Sequence, residues 1–283
     1  MAFSGEDRPP VQLQQAAASE VIGAVAARDV ETYWTPERMA RAVPVRGRDS
    51  GGVSSAAAER TAVAYGGIPT VGALFFNNGS GDRYCTGAVV NSPSRQLVIT
   101  AAHCVHGGKG RGYYRNIAFV PKYDRGKRPY GVWTARKLFV HRLWATQSDV
   151  DLDYAFISLH PRNGRKIQHV VGANLIAVNK GYVNTVTVTG YPKITRDRRD
   201  RPIWCRTTTR KQARYQIRME CNGFYGGTSG SPWLLRYDSS SRTGYINAVL
   251  GGYQGGGSVH WISYASYFDD DLVRLRNYAS NHA

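Results

Sequence analysis

Three stretches of the chain carry residue types that perform acyl transfer when brought together. In Leu97-Val-Ile-Thr-Ala-Ala-His103-Cys104 an apolar run ends in small residues and then presents an imidazole. In Asp149-Val-Asp-Leu-Asp153-Tyr-Ala-Phe-Ile a carboxylate leads directly into an apolar run. In Gly226-Gly227-Thr228-Ser229-Gly230-Ser231-Pro232-Trp233 a hydroxyl sits in a glycine-rich turn. A serine nucleophile needs a base to accept its proton and an acid to orient that base. It also needs backbone N–H groups aimed at the developing oxyanion, and each such donor is worth about 10²–10³ in rate. Gly227 can adopt backbone conformations closed to other residues, which lets its N–H and that of Ser229 point the same way.

Within these stretches some residues compete. Ser229 is the better nucleophile, because glycines at 227 and 230 leave its hydroxyl accessible. Ser231 precedes Pro232, which biases it to extended backbone at the entry to a strand. Asp153 is preferred over Asp149 and Asp151 because the apolar run starts directly after it. Six further histidines (106, 141, 160, 169, 260 and 282) are read as structural. The glycines at 251–257 lack a Gly-Lys-Ser/Thr signature and do not open a helix, so they read as loop rather than phosphate cradle.

The elements that must hold these residues are short strands. Apolar or alternating runs at 71–76, 87–90, 97–101, 117–120, 135–140, 154–159, 183–190, 215–219, 233–235 and 245–250 are separated by Gly, Asn, Pro and Asp. Such a pattern predicts a β-sandwich or barrel. Residues 11–43 read as helical, with Thr35-Pro36 as a helix start. Residues 44–60 read as a Gly/Ser/Arg-rich linker. The C-terminal stretch from Phe268 predicts a helix with Leu272, Leu275 and Ala279 on one face and acids in its first turn.

At 283 residues and 42% hydrophobic the chain can bury a core, which excludes bulk disorder. No apolar run is long enough to cross a bilayer as a helix. The charge is lopsided. The chain carries +17 overall, residues 1–60 are close to neutral, and the remainder contains a single glutamate, Glu220. Such a field favours polyanions or acidic partners, yet the basic runs 196–201 and 206–218 read as solvated faces rather than nucleic-acid sites. Cys85, Cys104, Cys205 and Cys221 form no C-x-x-C pair and no H-E-x-x-H occurs, so no metal is expected. Four cysteines allow three pairings, of which the sequential one closes two short loops. Disulfides would place the chain in an oxidising compartment. Met1-Ala-Phe-Ser-Gly-Glu-Asp lacks the features of a secretory signal, which is read as already removed.

Thr100-Ala-Ala-His103-Cys104, Asp153-Tyr-Ala-Phe-Ile and Gly227-Thr-Ser229-Gly-Ser-Pro232, in that chain order, resemble the chymotrypsin-like (trypsin superfamily) serine endopeptidases. With Gly190-Tyr191-Pro192 and Tyr33-Trp34-Thr35-Pro36-Glu37-Arg38-Met39, the chain is similar to the glutamyl-endopeptidase-like and secreted actinobacterial branches. The resemblance covers roughly residues 63–275. It implies an all-β fold of two six-stranded Greek-key barrels with a C-terminal helix and an N-terminal helical extension. Residues 1–60 would be an extension or pro-region, and 61–283 the peptidase domain, with the two barrels meeting at about 160–180. His103, Asp153 and Ser229 would be catalytic and the amides of Gly227 and Ser229 would form the oxyanion hole. Cys85 would pair with Cys104, and Cys205 and Cys221 would flank a hairpin beside the specificity pocket. Residues 222–226, including Phe224 and Tyr225, would form the pocket wall, and Leu250, Gly251 and Gly252 an edge for substrate backbone.

The chain also departs from the family pattern. Thr228 stands where an activation aspartate is common, no Ile/Val-Val-Gly-Gly start is present, no acid lies at 222–226, and Val249 occupies the place of a glutamate-binding histidine. The expected activity is hydrolysis of polypeptides by a secreted enzyme without cofactor. The competing expectation is an inactive protease-fold protein that binds an anionic cell-surface polymer through its basic face.

Overall fold

The computed structural model describes residues 16–18, 23–45, 60–192 and 201–283. Most of the 44–60 linker, the start at Met1 and the Arg196–Arg201 run apart from Arg201 lie outside the described residues. The N-terminal part holds β1 (Ala16–Ala18), α1 (Ala24–Tyr33), α2 (Pro36–Arg41), β2 (Val43–Pro44) and β3 (Val63–Ala64). The helical reading of 11–43 is therefore corrected at Ala16–Ala18, whose backbone pairs with Phe139–His141. Pro36 sits at the first position of α2, and the Thr35 side chain accepts the Arg38 N–H.

The first barrel is built from β4 (Val71–Asn77), β5 (Asp82–Val89), β6 (Leu97–Thr100), β7 (Arg115–Pro121), β8 (Trp133–His141) and β9 (Ala155–Leu159). The pairings β4–β5, β5–β6, β6–β9, β9–β8, β8–β7 and β7–β4 close a six-stranded ring. Closure leaves no edge strand, and every residue of β9 is buried, with Ser158 the one polar residue in an otherwise apolar run. Two short helices, α3 (Arg142–Gln147) and α4 (Ile167–Val171), follow β8 and β9.

The second half contains β10 (Leu175–Ile176), β11 (Thr185–Gly190), β12 (Ile203–Thr208), β13 (Arg210–Ala213), β14 (Gln216–Glu220), β15 (Pro232–Asp238), β16 (Thr243–Val249) and β17 (Ile262–Ser266). Five of these strands and the N-terminal β3 run β10-β16-β15-β11-β12-β3, and a second sheet runs β13-β14-β17. A Leu250–Ala265 bridge joins the two sheets, and Val188, Cys205, Met219, Phe224, Trp233 and Ala265 fill the space between them. The basic stretch 206–218 lies on these strands, with Arg206, Arg210, Lys211 and Arg214 exposed on their outer side. In β12, Ile203, Cys205 and Thr207 point inward while Trp204, Arg206 and Thr208 point out. Long polar side chains at alternate positions hide a strand from a search for apolar runs. α5 (Asp270–Asn281) ends the fold, with Leu272, Leu275 and Ala279 buried and Asp269 capping its first turn.

The N-terminal segment is not a free appendage. Trp34 is 0% exposed and packs with its ring 5.3 Å from Phe75, and its Nε1 donates to Asn116 O at 2.6 Å. Met39 and Ala42 share that core, β2 pairs with β5, and Tyr33 Oη donates to Asp82 at 2.5 Å.

Candidate active site

Strands β6 and β9 pair antiparallel, with Thr100 opposite Ala155. The segment leaving β6 and the segment entering β9 therefore emerge at the same end of the barrel. A 3-10 turn, Ala102–Cys104, follows β6 and carries His103; another, Val150–Leu152, delivers Asp153. Asp153 Oδ1 accepts the His103 backbone N–H at 2.9 Å and its Oδ2 lies 2.7 Å from His103 Nδ1. Oδ2 also accepts the Gly252 N–H at 2.7 Å. Burial alone would raise the Asp153 pKa. The His103 charge and the hydrogen bonds from His103 and Gly252 outweigh it and hold the carboxyl below its usual range.

The His103 Nε2 is buried and has no hydrogen-bond partner among the described residues. With Nδ1 facing the carboxylate, Nε2 is the atom left to accept a proton. Cys104 is joined to Cys85 on β5, which ties the histidine turn to the barrel wall. Cys85, His103 and Cys104 come close enough to suggest a metal cluster, but both sulfurs are bonded to each other and neither offers a thiolate.

The turn at 226–231 is the counterpart on the second barrel. Gly227 has φ +98° and Gly230 has φ +83°, both in the region that favours glycine. A side chain at 227 would collide with the Tyr84 ring, and one at 230 with Thr86 O and Thr100 Oγ1. Thr228 Oγ1 donates to Tyr225 O at 2.7 Å and Ser231 N to Thr228 O at 2.9 Å, so the turn closes on itself. Gly230 N donates to Leu250 O at 2.7 Å. The amides of Gly227 and Ser229 have no hydrogen-bond partner among the described residues. Ser229 is 7% exposed whereas Ser231 is fully buried. No hydrogen bond links Ser229 Oγ to Nε2 in this structure.

Thr86 on β5, not singled out in the sequence, joins the two halves. Its N–H donates to Ser229 O at 2.8 Å and its hydroxyl to Gly227 O at 3.0 Å. Its carbonyl accepts from Thr100 Oγ1 at 2.8 Å, on the strand that leads to His103. Gln216 was missed for the same reason: a lone polar residue in a strand carries no motif. It is buried, its Nε2 donates to Val150 O at 3.0 Å and Asp151 Oδ1 at 2.7 Å, and its Oε1 accepts from Tyr253 N at 3.1 Å. It thus clamps the turn before Asp153 to the loop after Gly252.

Three expected substrate contacts are corrected. Phe224 points into the second-barrel core and is fully buried, so it is no pocket wall. Leu250 engages its N–H with Ser231 O and its carbonyl with Gly230 N. Gly252 gives its N–H to Asp153. The 250–252 stretch therefore supports the turn and the carboxylate, and Leu250 and Gly252 do not offer those groups to a peptide. Tyr225 stacks on His260 with centroids 4.5 Å apart. Cys205 is bonded to Cys221, bracketing the β13–β14 hairpin. His106 and His141 each accept a backbone N–H, from Gly108 and Leu143.

Paired β-barrel halves with a buried His–Asp pair and a glycine-bracketed serine turn at their seam define a class, the chymotrypsin-like serine endopeptidases. The family model described as Trypsin matches residues 59–246, and the chain belongs to that family. Among solved structures it is similar to the protease Anisep from Arthrobacter nicotinovorans, at 30% identity and a TM-score of 0.69 over 77% of this chain and 98% of that one. It is also similar to the thermostable serine protease AL20 from an extremophilic microorganism, at 32% identity and a TM-score of 0.69 over 76% and 98%. A Glu endopeptidase shares the fold at 18% identity, with a TM-score of 0.61 over 81% and 100%. The comparison with curated proteins finds no match. The protein is a serine endopeptidase that acts on polypeptides. Among the described residues no helix is long and apolar enough to cross a membrane.

Proposed function

We propose that the chain is a secreted endopeptidase working through Ser229, His103 and Asp153 and an acyl-enzyme intermediate. The observation that carries this reading is the Asp153 carboxylate bound to His103 at both N and Nδ1, with Nε2 left unpaired and buried. In the reaction Ser229 Oγ attacks the peptide carbonyl carbon and its proton passes to Nε2. The amides of Gly227 and Ser229 donate to the oxyanion. Collapse breaks the C–N bond, and the amine leaves with the proton from Nε2. Water, deprotonated by the same nitrogen, then releases the acid and restores the serine. Tyr225 and the carbonyl of Gly251, whose N–H donates to Tyr264 O at 3.0 Å, are assigned to the substrate side of the cleft.

Residues 1–60 are read as an extension preceding the peptidase barrels, with its 23–45 part docked on the first barrel. Thr228 closes the nucleophile turn through Tyr225 O without a carboxylate, which supports a turn that forms without an activation ion pair. Two disulfides and the family's habit support secretion. No observation favours an anionic polymer as partner. The test is Ser229→Ala: it should abolish peptide hydrolysis and labelling by a serine-directed phosphonate while the melting temperature holds. Undiminished turnover would refute the assignment.

A further inference from the structure

The outer face of the second half carries a cavity of about 570 Å³ that the chemistry above does not use. It lies over β15, β11 and β12. Its walls include Trp204, Tyr65, Tyr237 and Leu234, and its only charged lining groups among the described residues are Arg206 and Arg236. Trp204 is 37% exposed, a large apolar surface to leave in water. Neither guanidinium has an ion-pair or hydrogen-bond partner among the described residues. Asp238, two residues beyond Arg236 on β15, is engaged by Ser240 at 2.7 Å.

The register fixes the arrangement. Thr187 on β11 lies opposite Arg206 on β12 and Leu234 on β15. Strands two apart are about 10 Å from one another, so Arg206 and Arg236 flank the groove from opposite sides with threonine hydroxyls between them. Tyr65 Oη is held against Thr189 Oγ1 at 2.5 Å, and burial pushes its phenol above the usual value, so it faces the groove as a neutral group.

We propose that this groove is a second binding site, an exosite for an acidic polypeptide segment in which carboxylates alternate with apolar or aromatic side chains. The carboxylates would pair with Arg206 and Arg236, and the apolar side chains would cover Trp204 and Tyr65. A sulfated or phosphorylated polymer would satisfy the cations and leave the aromatic wall bare. Thr187 faces the groove, and three residues further along β11 the Cβ position of Gly190, on the opposite, inner face of the strand, meets Ser231 Oγ in the nucleophile turn. Three residues of strand span about 10 Å. A polypeptide long enough to pass around the end of β11 would occupy both places, and tethering would raise its effective concentration at the cleft. That coupling rests on the reading of Ser229 as nucleophile; the groove itself does not.

The test has a binding arm and a kinetic arm. Full-length Ser229→Ala protein is titrated into a fluorescein-labelled dodecapeptide of alternating Glu and Phe, and into its Gln counterpart. The acidic peptide should bind at least about tenfold more tightly. Arg206→Gln with Arg236→Gln should remove that preference, and Trp204→Ala should weaken both peptides about fivefold, with melting temperatures unchanged. Equal binding of the Glu and Gln peptides, or unchanged binding by the double variant, overturns the proposal. So does a heparin oligosaccharide that binds more tightly than the acidic peptide with the same arginine dependence. In the active protein the double variant should raise KM for an acidic-tailed substrate about tenfold and leave a short uncharged substrate unaffected. An equal KM change for both substrates overturns the coupling. If Ser229→Ala still hydrolyses peptide, the nucleophile assignment fails while the binding arm still reads the groove.

Discussion

At Asp153 three N–H groups converge on one buried carboxylate, two from His103 and one from Gly252. An amide in its place presents an NH₂ where one acceptor is needed and favours the wrong imidazole tautomer. Asp153→Asn should therefore lower kcat by about 10⁴-fold with little change in KM, measured on a short peptide substrate. The same carboxylate links stability to pH. Its folded pKa lies below the ordinary 3.8, so its stabilisation is complete above that value and fades as pH falls through the lower folded value. Thermal melts taken from pH 6 downward should steepen below about pH 4, and less steeply in Asp153→Asn. An identical pH profile in the two proteins would show that the carboxylate is not the group lost.

At the scale of elements, the geometry depends on polar residues that stitch loops together. Gln216 joins the Asp153 turn to the Gly252–Tyr253 loop, and both of those loops touch the carboxylate. Gln216→Leu should cut kcat by about tenfold and displace the acid limb of the pH–rate profile, while the conservative Gln216→Glu restores only part of the loss. A change in thermal stability with no shift of the pH–rate profile would mark Gln216 as purely structural. Thr86 does the equivalent between barrels, holding Ser229 O and Gly227 O against the strand that leads to His103. None of these partners was legible in the sequence. A buried glutamine or threonine takes its role from residues as far as 66 and 141 positions away, and no local spacing encodes that. The triad types were legible because each lies at the end of an apolar strand or in a glycine-rich turn, where backbone chemistry restricts the choice of residue.

For the whole molecule, the N-terminal segment completes the first barrel. Trp34 fills the space beside Phe75 that would otherwise face water. Truncating a buried tryptophan costs about 3–5 kcal/mol. Trp34→Ala or deletion of residues 1–45 should accordingly lower the melting temperature by roughly 10 °C. An unchanged melting temperature after deletion would reduce the segment to a leader. The start of the Pro36–Arg41 helix was readable from its Thr35-Pro36 cap, whereas the alanines at 16–18, read as helical, pair as a strand. The docking of Trp34 was not readable, because a tryptophan's burial depends on the cavity another part of the chain supplies.

By itself the sequence determined the chemistry on offer: an imidazole, a carboxylate and a hydroxyl in a particular order, small residues where backbones must approach, and enough short strands for paired barrels. These are local properties, set by side-chain type and backbone freedom. Tertiary structure alone decided which carbonyls and amides remain free. It withdrew Phe224, Leu250 and Gly252 from the substrate side, brought Thr86 and Gln216 into the site, and left Arg206, Arg236 and Trp204 together on an open face. Hydrogen bonds and burial are shared between distant segments, and the outcome of that sharing is fixed only when the segments meet.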